Sequence, residues 1–246
     1  MGRLSLCIII PTYNNARLLP AVLDAVLSYA SPVIVVNDGS TDDTAAVLER
    51  YHPLVEVVSY ARNRGKGHAL GRGFDRAGEL GFRGAITLDS DGQHAAGDLP
   101  RFVAAAAAHP GAMIIGSRRL THENMPAGNT FANRFSNFWF AVQAGRRLPD
   151  TQTGFRLYPL ARMGGMRAVT SRYEAELELL VRVAWRGVPQ VPVPIRVHYP
   201  PGDERVTHFR PGKDFARISL LNACLVPVAL LYGYPSMLLH ALFKRR

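Results

Sequence analysis

Two carboxylates stand two residues apart in Asp89-Ser90-Asp91-Gly92-Gln93-His94. At a strand end, alternate residues can turn to the same side. Asp89 and Asp91 would then present hard oxygens of the kind Mg²⁺ or Mn²⁺ takes, with Gln93 as a neutral third donor. A cation held there would bridge the phosphates of a nucleotide and neutralise charge on a departing diphosphate. Asp38, in Asn37-Asp38-Gly39, is suited to accept hydrogen bonds from the N–H edge of a base, or to cap a helix together with Ser40 and Thr41. Tyr13 either stacks on that base or covers the sheet edge. Arg62, Arg64 and Lys66 surround Gly65 in a turn suited to phosphate, although such charges also stand on solvated faces.

These residues need elements to hold them, and the pattern supplies them. Residues 6–10 and 33–36 are unbroken apolar runs, as expected of strands buried on both faces. Residues 55–58, 85–88 and 113–115 read as three more strands. Apolar residues at helical spacing follow the first strand (Leu18, Leu19, Val22, Leu23, Val26, Leu27), and helices are expected over 42–50, 67–80 and 99–108. Strict alternation of strand and helix means a mainly parallel sheet with helices on both faces. Ligands collect beyond the carboxyl ends of such strands, where the polar segments at 11–15, 37–39, 63–67, 89–94 and 116–119 all fall. Further on, 129–146 reads as a helix with an aromatic face, 155–158 as a strand and 173–185 as an amphipathic helix. Residues 188–197, with three prolines, read as an edge strand.

Other chemistries fit poorly. Gly65-Lys66-Gly67 lacks the Ser or Thr of a P-loop, and no Gly-x-Gly-x-x-Gly follows the first strand. No Gly-x-Ser-x-Gly nucleophile turn is present, and the 8 His have no metal-ligand spacing. The 246 residues carry 29 Lys and Arg against 19 Asp and Glu, a net charge of +10 that points to an anionic partner: nucleotide, phospholipid headgroup or nucleic acid. Cys7 and Cys224 make no disulfide framework, so a reducing compartment is expected, and residues 4–10 lack the cleavage site of an export signal.

Taken in order, Ile10-Pro11-Thr12-Tyr13-Asn14, Val36-Asn37-Asp38-Gly39-Ser40-Thr41-Asp42, Asn63-Arg64-Gly65-Lys66-Gly67, Asp89-Ser90-Asp91-Gly92-Gln93-His94, Gly116-Ser117-Arg118 and Asp150-Thr151-Gln152-Thr153-Gly154-Phe155-Arg156 resemble a family 2 glycosyltransferase. They are most similar to the dolichol/polyprenyl-phosphate sugar transferase branch. The resemblance covers roughly residues 4–200 and implies an α/β GT-A (Rossmann-like) fold and inverting transfer from a nucleotide-diphosphate sugar. It implies that Pro11, Tyr13 and Asp38 hold base and ribose, and that Lys66, Asp89 and Ser90 line the nucleotide site. Asp91 and Gln93, with Asp89 as a further ligand, would bind Mg²⁺ or Mn²⁺, and Arg118 would reach a phosphate. Asn15 is a further nucleotide-sugar-binding candidate and stands where the family usually has an acidic residue. Arg156, Arg205, His208, Arg210 and Lys213 are candidates for closing over phosphates.

The acceptor decides whether a base is needed. A lipid phosphate is already ionised, whereas a hydroxyl acceptor needs a carboxylate, for which Asp150, Glu174 and Glu176 are the available acids. Glu178 reads as a solvated or salt-bridged helix residue. From Ile218 to Phe243 there is no Asp, Glu, Lys or Arg, and Lys244-Arg245-Arg246 follows. Pro227, Gly233 and Pro235 are expected to break this stretch into short helices, near 215–225 and 236–243, lying on a membrane rather than spanning it. The alternative is packing on the globular core or an oligomer interface. The expected organisation is a GT-A domain over 1–213 and a hydrophobic tail over 214–246, acting at the cytoplasmic membrane face. The competing readings are a GT-A transferase with a hydroxyl acceptor and a non-enzymatic nucleotide- or nucleic-acid-binding protein.

Overall fold

The computed structural model describes residues 1–118, 127–198 and 210–243. Seven strands form one sheet: β1 (Leu6–Thr12), β2 (Val33–Asp38), β3 (Glu56–Tyr60), β4 (Gly84–Thr87), β5 (Met113–Arg118), β6 (Arg156–Tyr158) and β7 (Gln190–Ile195). Their order is β3-β2-β1-β4-β6-β5-β7. All pairings between these strands are parallel except those of β6, which runs antiparallel to both β4 and β5. The proline-rich β7 is an edge strand, as its sequence requires.

The continuous apolar runs are explained by burial on two sides. Along β1, Cys7 and Ile9 enter one core and Leu6, Ile8 and Ile10 the other. The second core is closed by α1 (Leu19–Leu27), α2 (Thr44–Arg50) and α4 (Leu99–Ala108). The first is closed by α3 (Lys66–Glu79), α5 (Ala127–Ala144), the short α6 (Leu160–Met163) and α7 (Glu174–Trp185). Outward from β1 the chain order runs to β2 on one side and to β4 on the other. That reversal leaves a crevice at the strand ends.

The tail departs from expectation. It is one helical run, α8 (Pro211–Val228), a wide π turn at Ala229–Gly233 and α9 (Tyr234–Phe243). Pro227 lies inside α8 without ending it. The missing N–H costs one backbone bond, and the π turn just beyond it re-registers the helix instead of breaking it. Leu225 and Ala229 pack into the core, and Asn222 Oδ1 accepts a bond from Gln143 Nε2 at 2.9 Å. The outer face is bare: Leu220, Leu230, Leu231, Leu238, Leu239 and Phe243 are all exposed. The 32 residues Gly212–Phe243 are long and apolar enough to cross a membrane by length and composition.

Candidate active site

Beyond the carboxyl ends of β1, β2 and β4 lies a cleft of about 470 Å³. Pro11, Tyr13, Asn15, Asp38, Lys66, Asp89, Ser90, Asp91 and Gln93 line it, so residues scattered over eighty positions of sequence converge as their spacing predicts. Arg172 and Tyr173, just before α7, also line it and were not anticipated, because nothing marks a short polar linker as facing a distant strand end. Arg210 closes the far side.

Asp38 does not cap α2. Its Oδ1 accepts from Arg64 N at 2.7 Å, and its Oδ2 from Gly65 N at 2.8 Å and Asn63 Nδ2 at 3.0 Å. It therefore shapes the turn that starts α3. Gly65 sits there at φ +96°, and a Cβ would lie 2.6 Å from Ser171 O, so only glycine fits. The lead-in to α2 is organised by Asp42, which accepts from Thr44 N and Ala16 N. Asn15 is buried, and its Nδ2 donates to the Ser90 carbonyl and hydroxyl, locking the β1 loop to the β4 loop.

The charges are arranged around Lys66. Its Nζ lies 2.6 Å from Asp89 Oδ1 and 2.8 Å from Glu176 Oε2. Burial alone would lower the lysine pKa, but the two carboxylates hold it above its usual range. Burial would likewise raise Asp89, and the ammonium outweighs that and keeps the carboxyl low. Asp91 has no such partner. Burial, then the neighbouring Asp89 charge, push it up to about 6 despite a 2.9 Å bond from Gln93 N to Oδ1. Asp89 rests on Gly154, where an added Cβ would stand 2.4 Å from Oδ2.

The donor set fits a hard divalent cation. Asp91 is a partly buried carboxylate whose negative charge is uncompensated, with Asp89 beside it. Among the described residues no three His, Cys, Asp or Glu cluster into a closed cage. One or two carboxylates with the remaining positions left to phosphate and water is the usual Mg²⁺ arrangement.

Other expectations are corrected. Arg156 does not reach the cleft: it is fully buried, with Nη1 donating to Glu176 O at 2.6 Å and Nη2 to Thr151 O at 2.7 Å. Its charge is accommodated by carbonyls, so it braces the fold and does not meet an acceptor. Asp150 is not a poised base. It is fully buried and accepts from Arg118 Nε at 2.6 Å, Arg118 Nη2 at 2.9 Å and Asn133 Nδ2 at 2.8 Å. Arg118 is correspondingly turned onto Asp150. Glu174 and Glu176, the other candidate acids, are buried, Glu176 against Lys66, and Glu178 is salt-bridged as expected but buried, binding Arg182 and the N–H groups of Val169 and Thr170. Lys213 is exposed on the first turn of α8 and does not line the cleft. Arg205 and His208 lie outside the described residues.

A doubly covered, mainly parallel sheet with a carboxylate-lined crevice at its switch point defines an α/β protein with its ligand site at the strand ends. The chain belongs to glycosyl transferase family 2, whose sequence model matches residues 7–172. It is 32% identical to the undecaprenyl-phosphate mannosyltransferase of Micrococcus luteus, over 76% of this chain and 81% of that protein. It is 25% identical to the UDP-N-acetylglucosamine–dolichyl-phosphate N-acetylglucosaminyltransferase of Methanococcus voltae, over 78% and 85% of the two chains. The fold matches glucosyl-3-phosphoglycerate synthase of Mycobacterium tuberculosis, solved with Mn²⁺, UDP-glucose and phosphoglyceric acid. The TM-score is 0.64 at 18% identity, covering 91% of this chain and 79% of that one. The GT-A expectation and the resemblance to the lipid-phosphate branch are both borne out.

Proposed function

We propose that this glycosyltransferase moves a sugar, with inversion, from a nucleoside diphosphate to a polyprenyl-phosphate-like lipid at the cytoplasmic membrane face. Pro11, Tyr13 and Asp38 would bound the base and ribose, and Ser90 and Lys66 would flank the diphosphate. Asp91, with Asp89 and Gln93, would hold Mg²⁺ or Mn²⁺, which when bound supplies positive charge to the leaving diphosphate. The relatives named above act on undecaprenyl and dolichyl phosphates, which supports the same acceptor class here.

The observation that carries the lipid reading is Arg210. This residue lines the cleft and is also the cap residue from which the apolar helix α8 departs. A phosphate held near Arg210 would have its hydrocarbon chain beside the bare face of residues 214–243. That tail, lying in the headgroup region, would anchor the enzyme to its substrate's membrane. An ionised phosphate acceptor also suits a site whose acids are engaged: Asp150 is held by Arg118, and Glu176 by Lys66.

The test is transfer of label from a panel of UDP- and GDP-sugars to polyprenyl phosphate in vesicles. A mild-acid-labile lipid product is expected. An acid-stable product would replace the phosphate acceptor by a hydroxyl, and no transfer from any donor would overturn the proposal.

A further inference from the structure

Glu176 stands on the first turn of α7, 87 positions from Asp89 in sequence, yet one ammonium joins them. Lys66 Nζ is 2.6 Å from Asp89 and 2.8 Å from Glu176, and the three side chains are only 16%, 23% and 9% exposed. The main chain at Glu176 is fixed in turn by fully buried Arg156, whose Nη1 donates to its carbonyl at 2.6 Å. The lysine is therefore shared, and its position is set from α7 as well as from the loop after β4.

We infer that Glu176 is a positioning residue which, through Lys66, sets how strongly Asp89 and Asp91 hold a divalent cation. The inference rests on reading the aspartate pair as the cation site. An ammonium divided between two carboxylates compensates Asp89 only in part, so a cation arriving at Asp91 still meets a residual negative charge next door. Removing the Glu176 charge leaves Lys66 wholly to Asp89, and that residual attraction disappears. Removing Lys66 leaves both aspartates unscreened. Two changes to one ion pair thus move cation affinity in opposite directions, whereas a pair that only braced the fold would weaken binding whichever half was lost. In a part-buried cleft, one charge a few ångströms away changes affinity by about tenfold or more.

The experiment is Mn²⁺ alone titrated into the full chain without nucleotide, with free Mn²⁺ read by electron paramagnetic resonance and folding checked by the thermal midpoint. Glu176→Gln is expected to weaken binding about tenfold and Lys66→Met to tighten it about tenfold. If Glu176→Gln does not fold, Glu176→Asp, which keeps the charge but draws it back from Lys66, decides the matter, with weakened Mn²⁺ binding expected and unchanged binding overturning the inference. Weakening in both directions, or affinities within about twofold of the parent, overturns the inference. So does a parent chain that binds no Mn²⁺, an outcome that leaves the transferase reading to the lipid assay. Opposite shifts without sugar transfer would sustain the inference while removing the acceptor proposal.

Discussion

Arg118 and Asp150 form a two-pronged ion pair, Nε to Oδ2 at 2.6 Å and Nη2 to Oδ1 at 2.9 Å, that ties the end of β5 to the loop leading into β6. Burial alone would raise the Asp150 carboxyl, but the arginine's hydrogen bonds and charge hold it below the usual carboxylate range. Asn133 Nδ2 and Gln152 N occupy the same carboxylate at 2.8 and 3.0 Å. Asp150 is thus a buried clamp.

The clamp predicts a stability effect. Asp150→Ala leaves a guanidinium and an amide without their acceptor and is expected to cost about 3–5 kcal/mol, read from urea unfolding. A general base would behave differently, with turnover lost and the unfolding midpoint unmoved.

Gly154→Ala makes the opposite dissection. The new Cβ would meet the Asp89 carboxylate at 2.4 Å, and that side chain, not backbone, is what must shift. Sugar transfer is expected to drop by at least about tenfold while the thermal midpoint changes by only a few degrees. A large loss of stability with the residual activity intact would show that Asp89 does not need its present place.

Asp91 and His94 titrate against each other. The Asp91 carboxyl is raised to about 6, so its ionisation destabilises the fold increasingly as pH climbs from about 4 to 6. His94, edge-on to Phe155 at 5.6 Å, is lowered by burial to about 4. It stays neutral in the fold, and the stability this gives, full above its unfolded pKa near 6.5, is lost as pH falls toward 4. Each effect amounts to about 3 kcal/mol and they nearly cancel in the parent chain. In metal-free protein, Asp91→Asn is expected to be more stable at neutral pH and markedly acid-sensitive, and His94→Gln, left with the Asp91 effect alone, to be more stable near pH 4.5 than at neutral pH. Urea midpoints at neutral pH and near pH 4.5 check both.

Chelation is the functional counterpart. Excess chelator, or Asp91→Asn with cation present, is expected to reduce sugar transfer by about a hundredfold or more, with Asp91→Asn folding as well as the parent. Undiminished transfer under either condition would remove the cation from the reaction.

The strands were legible because residues 6–10 and 33–36 are apolar without a break, as burial on both faces requires, and β1 and β2 are buried at every position. The site was legible because its residues sit at the ends of those strands. What escaped reading was long-range pairing. Lys66 finds Glu176 110 positions away, and no local pattern encodes that. Arg156 follows a Gly-Phe pair and reads as a phosphate ligand. Its burial depends on the carbonyls of Thr151, in the loop before β6, and of Glu176, on α7, which only the folded chain brings together. Pro227 reads as a helix break because the backbone's capacity to widen by one residue per turn leaves no trace in composition.

The widened turn at Ala229–Gly233 fits one residue more than an α-helix would, and each residue turns the helix by about 100°. Downstream side chains are therefore rotated by roughly that angle relative to those of α8. Gly233 comes against the Trp185 indole and His240 against Gly187, while leucines face outward on both halves. Deleting a single residue from this turn would restore the ordinary helical register, swing His240 off its glycine seat and carry the outward leucines of α9 round by the same angle.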